Sequence, residues 1–114
     1  MFAFVILEDK NGQALGFEAR GHVGAREKGE NLACAAASFL VQTLITGIKD
    51  EVRVPLEVVR GESGEFSCRF AGGILPPQRE RIEFLLRVAE RGFGSLGQME
   101  ANAVVRVERR RDAG

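Results

Sequence analysis

Chemistry in this chain has few places to sit: of 114 residues one is histidine, His22, and two are cysteine, Cys34 and Cys68. One histidine with two cysteines 34 positions apart falls short of the four ligands that a structural metal site usually collects, so no metal is expected. "GAREKGEN" before the first helix has glycines that could cradle a phosphate, yet it lacks the Lys-Ser/Thr step of a P-loop. The remaining candidate is Cys34 with His22. If Asn31 caps the helix, Cys34 is its third residue, where unpaired N–H groups and the positive dipole end favour a thiolate. A nearby imidazolium would lower the thiol pKa further and make a nucleophile at neutral pH. Ser38, one turn further along, shares its face. A bland reading stands beside this one: a small apolar Cys34 filling a helix–sheet contact, a solvated His22 at a strand end, and a Ser38 bonded back to its own helix. Cys68 is expected as a strand-core cysteine.

The elements that would position these residues can be read along the chain. "FAFVILEDKNGQALGFEARGH" predicts a hairpin turning at Asn11-Gly12. Its first strand, Phe2 to Leu7, is apolar on both faces and is expected to lie centrally in a sheet covered on both sides. In the second, Leu15, Phe17 and Ala19 share the inner face, with Glu18, Arg20 and His22 opposite. Residues 22–30 are expected as a mobile loop. A helix follows from the Asn31 cap to Gly47, apolar nearly all round and so expected to be covered on both sides. "VRVPLEVVR" and "EFSCRFA" form a second hairpin pattern, with Phe66, Cys68 and Phe70 on one face and Pro55 marking an edge or a bulge. "ILPPQRERIEFLLRVAERGFG" is a second helix with Pro77 in its first turn and Gly92 or Gly94 ending it; Ile82, Leu85, Leu86 and Ala89 are buried, Glu83 and Arg87 an exposed pair. "MEANAVVRV" is a last strand with Met99, Ala101, Ala103 and Val105 inward. The order β-β-α-β-β-α-β describes one small α+β domain over residues 1–114, two helices on a mostly antiparallel sheet.

Composition bounds the partners. Sixteen basic residues balance sixteen acidic ones, which gives no general attraction to nucleic acid or an anionic membrane. Arg106, Arg109, Arg110 and Arg111 crowd the C-terminal stretch, read here as a solvated tail, the alternative being an RNA contact. The two cysteines and the absence of a secretory pattern point to a reducing, cytoplasmic setting, and the uncharged run from Asn31 to Ile48 is short for a membrane span.

"GHVGAREKGENLACAAASFL" resembles the signature of the ribosomal-processing cysteine proteases, the Prp family: a Gly-His pair, a glycine-containing loop, a Gly-Glu-Asp-like step and a Cys-Ala-Ala-x-Ser helix start. The resemblance implies His22 as general base, Cys34 as nucleophile and Ser38 as the helix serine; Gly21, Gly24 and Gly29 are then expected in a substrate loop, of which the stretch from Gly24 to Gly29 would act as a lid. It also implies a homodimer; with the ligand count and charge balance above, no metal or other cofactor, no membrane and no direct contact with nucleic acid is expected to be required. Its substrate would be the precursor of large-subunit ribosomal protein twenty-seven, cut after paired aromatic residues. Many members carry aspartate where this chain has Asn31. Asparagine can cap a helix or orient an imidazole through its carbonyl oxygen, but it adds no charge to stabilise an imidazolium.

Overall fold

A computed structural model describes residues 2–21, 32–61, 65–99 and 105–112. Strands β1 (Phe2–Glu8), β2 (Ala14–Gly21), β3 (Leu56–Arg60), β4 (Phe66–Phe70) and β5 (Val105–Arg111) form one sheet in the order β3-β4-β2-β1-β5. Helices α1 (Leu32–Thr46) and α2 (Pro76–Met99) complete the expected order, and every neighbouring strand pair is antiparallel except β1 with β5.

The first hairpin turns at Gly12, whose φ of 80° suits glycine, while the Asp9 carboxylate accepts the N–H groups of Asn11 and Gln13. The register then slips: Leu7 faces Gly16 but Glu8 faces Ala14, leaving Leu15 as the extra residue of a bulge. Leu15 therefore leaves the expected inner face, and Ala14 enters the core in its place. A second constraint sits beside it. A Cβ on Gly16 would fall 2.0 Å from the Cys68 carbonyl oxygen, so β2 and β4 can pair here only because Gly16 has no side chain.

Phe2, Phe4 and Ile6 of β1 join Phe17, Phe66, Cys68 and the inner faces of both helices in one core, where Phe4 stacks on Phe93 at 4.5 Å. Ala3, Val5 and Leu7 point the other way and are equally buried, but no described helix residue joins them. The expected double covering is thus met by different means on the two sides. On the helix-free side Glu18 lies opposite Val5 and Arg110 opposite Leu7, on the two strands flanking β1, and their 2.9 Å ion pair spans it. The aliphatic stems of such side chains cover apolar surface while the charged ends stay wet.

Two expectations for the helices need correction and one is met in part. The α-helix ends at Thr46, just before Gly47 as expected, but the chain continues as a π-helical segment, Gly47–Val52, stopped by Arg53 in the left-handed region at φ 64°. Gly92 and Gly94 do not end α2. Gly92 lies where a Cβ would come within 3.2 Å of Leu40, so it serves the close passage of antiparallel helices, whereas a Cβ on Gly47 would meet Leu85 at an ordinary 3.5 Å. Nor is α1 covered all round, since Phe39 is 71% exposed and Ala35, Ser38, Gln42 and Thr43 share its open side.

At the C-terminal end the strand runs Val105–Arg111 instead of 99–107, Met99 belonging to α2 and 100–104 lying outside the described residues. Val105 keeps its expected inward direction. The arginines are strand residues and no solvated tail. Arg109 donates two hydrogen bonds to Glu90, at 2.8 and 3.3 Å, and one each to Glu8 at 3.1 Å and Glu83 at 3.5 Å. Glu83, expected to pair with Arg87, also accepts the Ala14 N–H at 3.1 Å, while Arg87 lies over the Phe84 ring. Arg106 pairs with Glu108 and Arg110 with Glu18, so the basic stretch is largely neutralised within the fold.

Candidate active site

Helix α1 begins at Leu32, which makes Cys34 its third residue, as the capped reading required. The first four N–H groups of a helix have no intrahelical acceptor, and Cys34 lies within that first turn. Cys34 is half-buried against the edge of the core, and Ser38 is exposed one turn on. Leu40 and Gly47 mark the side of α1 that meets α2. At about 100° per residue, Cys34, Ser38 and Ile45 are turned roughly 120–160° from that side. They form the flank of α1 that looks away from α2.

Gly21 ends β2 at φ 91°, a left-handed conformation that favours glycine. His22, Gly24, Gly29 and Asn31 lie outside the described residues, as does the expected loop. Of the expected site, the structure describes Cys34, its helix, Ser38 and Gly21.

The second cysteine provides the contrast. Cys68 is fully buried in β4, opposite both Phe17 and Val58, and burial pushes its thiol up to about 12 from 9.0. At neutral pH it is a protonated core filler, as expected from its alternating strand.

One feature of the sheet is missing from the sequence reading. Val58 of β3 lies on the same sheet face as Cys68, the face that carries the helices, yet it is 38% exposed. Helix α2 packs against β5 and β1, and α1 lies beside α2, so the helix layer stops short of edge strand β3. "LEVVR" contains the residues of this uncovered strip, but two consecutive valines do not reveal which faces the helices.

A helix-borne thiol above a five-stranded α+β sheet, with the other thiol sealed in that sheet, defines a small single-domain protein with one accessible cysteine. Comparison with known families gives it a class: residues 1–105 match the model described as cysteine protease Prp, and the chain belongs to that family of cysteine proteases. Solved structures share the fold. A ribosomal processing protease Prp from S. aureus, in complex with a covalently linked product peptide, has a TM-score of 0.75 at 16% identity, over 96% of this chain and 100% of that one. The same protein with a substrate peptide gives 0.71 at 15%, over 96% and 100%. The protein SMU.848 from Streptococcus mutans gives 0.70 at 20%, over 96% of both chains. No curated protein matches the chain.

Proposed function

We propose that the protein is an endopeptidase that removes the N-terminal extension of large-subunit ribosomal protein twenty-seven during ribosome assembly, with Cys34 as nucleophile and His22 as general base. The observation that carries this reading is the position of Cys34, third in α1 and accessible, in a chain of the Prp family. His22 takes the thiol proton as sulfur attacks the scissile carbonyl. N–H groups of the first turn of α1 stabilise the resulting oxyanion. Collapse of the tetrahedral intermediate expels the amine, which receives the proton from His22 and leaves a thioester on Cys34. Water, activated by the same imidazole, hydrolyses the thioester and restores the thiol. Asn31 caps the helix, Ser38 supports the thiolate or the bound peptide, and the segment bearing Gly21, Gly24 and Gly29 closes over substrate. Closure driven by substrate would make specificity depend on induced fit.

The S. aureus relative's covalently linked product peptide accords with a covalent route. The working form is a cytoplasmic homodimer that needs no metal or other cofactor. The test mixes the purified protein with its own organism's precursor, alongside Cys34→Ala and His22→Ala. The unmutated protein should release the extension and both variants should lose at least about a hundredfold in rate. An intact precursor, or equal cutting by the variants, overturns the assignment. The alternative of a non-catalytic RNA-binding module gains little from β5, where Arg106, Arg109 and Arg110 are engaged by carboxylates and Arg111 alone of the four arginines has no ion pair among the described residues.

A further inference from the structure

Helix α2 sorts its charges by face. At about 100° per residue, Glu80, Arg81, Arg87, Val88 and Arg91 all fall within about 60° of Phe84, and all six residues are exposed. Glu83 and Glu90 lie about 100–120° round, on the side of β5, where Arg109 holds both. The acids in the middle of the helix are therefore engaged within the fold. Arg81, Arg87 and Arg91 make no ion pair among the described residues, and Arg87 instead lies over the Phe84 ring at 5.9 Å. The acids left near this stripe sit at one end. Glu80 precedes Arg81, and Asp50 and Glu51 belong to the π-helical segment, whose Val52 carbonyl accepts a hydrogen bond from Gln78 at the start of α2. Arg87 and Arg91 have none beside them.

Apolar surface lies among these arginines. Phe84 is 59% exposed and Val88, one turn on, is 51% exposed. Helix α1 extends the patch. Gly92, one turn beyond Val88, passes against Leu40, and Phe39 turns about 100° from that contact into solvent. Phe39 and Val88 thus flank the outer side of the same helix–helix contact, and the two exposed phenylalanines of the described residues share one face. Helix α1 adds no charge to it, since Leu32–Thr46 contains no ionisable side chain other than Cys34. An exposed apolar patch interleaved with unpaired charge of one sign marks a surface that takes a partner.

We infer that the outer face of the α1–α2 pair is a docking surface for an acidic amphipathic helix of another protein. Apolar side chains at i, i+3 or i+4 and i+7 of that helix would cover Phe39, Val88 and Phe84, and its flanking carboxylates would meet Arg87 and Arg91. Charge complementarity selects this occupant. A second copy would bring the same excess to the contact, three arginines against one glutamate on each side. A polyanion would satisfy the arginines but leave Phe39 and Val88 without apolar contact. The inference goes beyond the proposed cleavage and does not depend on it.

The test uses a labelled amphipathic peptide with leucines at i, i+3, i+4 and i+7 flanked by glutamates, and two twins in which glutamine or lysine replaces every glutamate. Fluorescence anisotropy follows binding to the parent, to the double variant Arg87→Glu, Arg91→Glu, and to Val59→Glu on the other sheet face, with thermal melting to confirm folding. The acidic peptide should bind the parent at least about tenfold more tightly than the glutamine twin. The double variant should lose about tenfold or more for the acidic peptide and prefer the lysine twin, while Val59→Glu should stay within about twofold of the parent. No binding of the acidic peptide to the parent, equal binding of the acidic and glutamine peptides, or an unaffected double variant overturns the inference. So does tighter binding of the parent to oligouridine or to anionic phospholipid vesicles than to the acidic peptide. Sedimentation of Phe84→Glu covers the remaining occupant: a parent dimer that this substitution splits into monomers assigns the face to a second copy and overturns the inference, and a dimer that persists supports it.

Discussion

Two thiols of one sequence differ in chemistry because of where each side chain ends. Cys34 is half-buried at a helix start, and Cys68 is sealed between Phe17 and Val58. A thiol-selective reagent at pH 7 should therefore modify Cys34 alone, with Cys68 reacting only after denaturation; peptide mass spectrometry reads both sites in one sample. The raised Cys68 value also fixes a pH dependence. Above about pH 9 the unfolded chain ionises this thiol while the folded chain holds its proton up to about 12, so the unfolded state binds fewer protons and stability falls as pH rises. Between those values Cys68 should remove about 1.4 kcal/mol per pH unit. Denaturant titrations at pH 8, 9 and 10 should show a shallower loss for Cys68→Ala than for the parent. Cys34 in the first turn was legible from Asn31 and the apolar run after it. The exposure of Val58 was not, because it depends on where the helix layer ends.

Among the elements, the least legible features are those made by contact between distant segments. The Asn11-Gly12 turn and the alternation of Phe66, Cys68 and Phe70 are local signals, and both hairpins formed as expected. The bulge at Leu15 is not local: it depends on how β2 meets β1 and β4 together, so the inner-face assignment failed at that one residue. Gly16→Ala should be more damaging than an ordinary strand substitution, by about 3 kcal/mol in urea denaturation, because the new methyl meets a backbone carbonyl that cannot rotate aside. Gly92 read as a helix stop because glycine weakens a helix, yet here it lets two helices approach. Phe39 misled for another reason: the alanines and threonines around it count as apolar or neutral in a periodicity but tolerate water well. The Glu83–Arg109–Glu90 cluster joins α2 to β5. Arg109→Ala should cost about 2 kcal/mol, and Arg109→Lys should recover only part of it, since a lysine cannot span both Glu90 oxygens.

For the molecule as a whole, charge balance proved more informative than the clustering of arginines. With Arg109 turned towards α2 and Arg110 reaching across β1, the C-terminal stretch stabilises the sheet and leaves little net charge for a polyanion. Retention on immobilised RNA should accordingly be negligible at physiological salt, as gel-shift or column binding would report. The core is dominated by phenylalanines from separate segments, Phe4, Phe17 and Phe93 among them, so Phe93→Ala should lose about 3–5 kcal/mol and leave the helix pair loosely attached. The parallel pairing of β1 with β5 has a temporal side as well. Strand β1 is made before the other strands, and its partner at residues 105–111 is made after all of them. While the chain is being synthesised, Phe2 to Leu7 have no neighbour on that side and the Arg109 clamp does not exist. The helix bearing Cys34 is therefore complete well before the sheet beneath it closes. The sheet therefore gains its fifth strand only after both helices have been made.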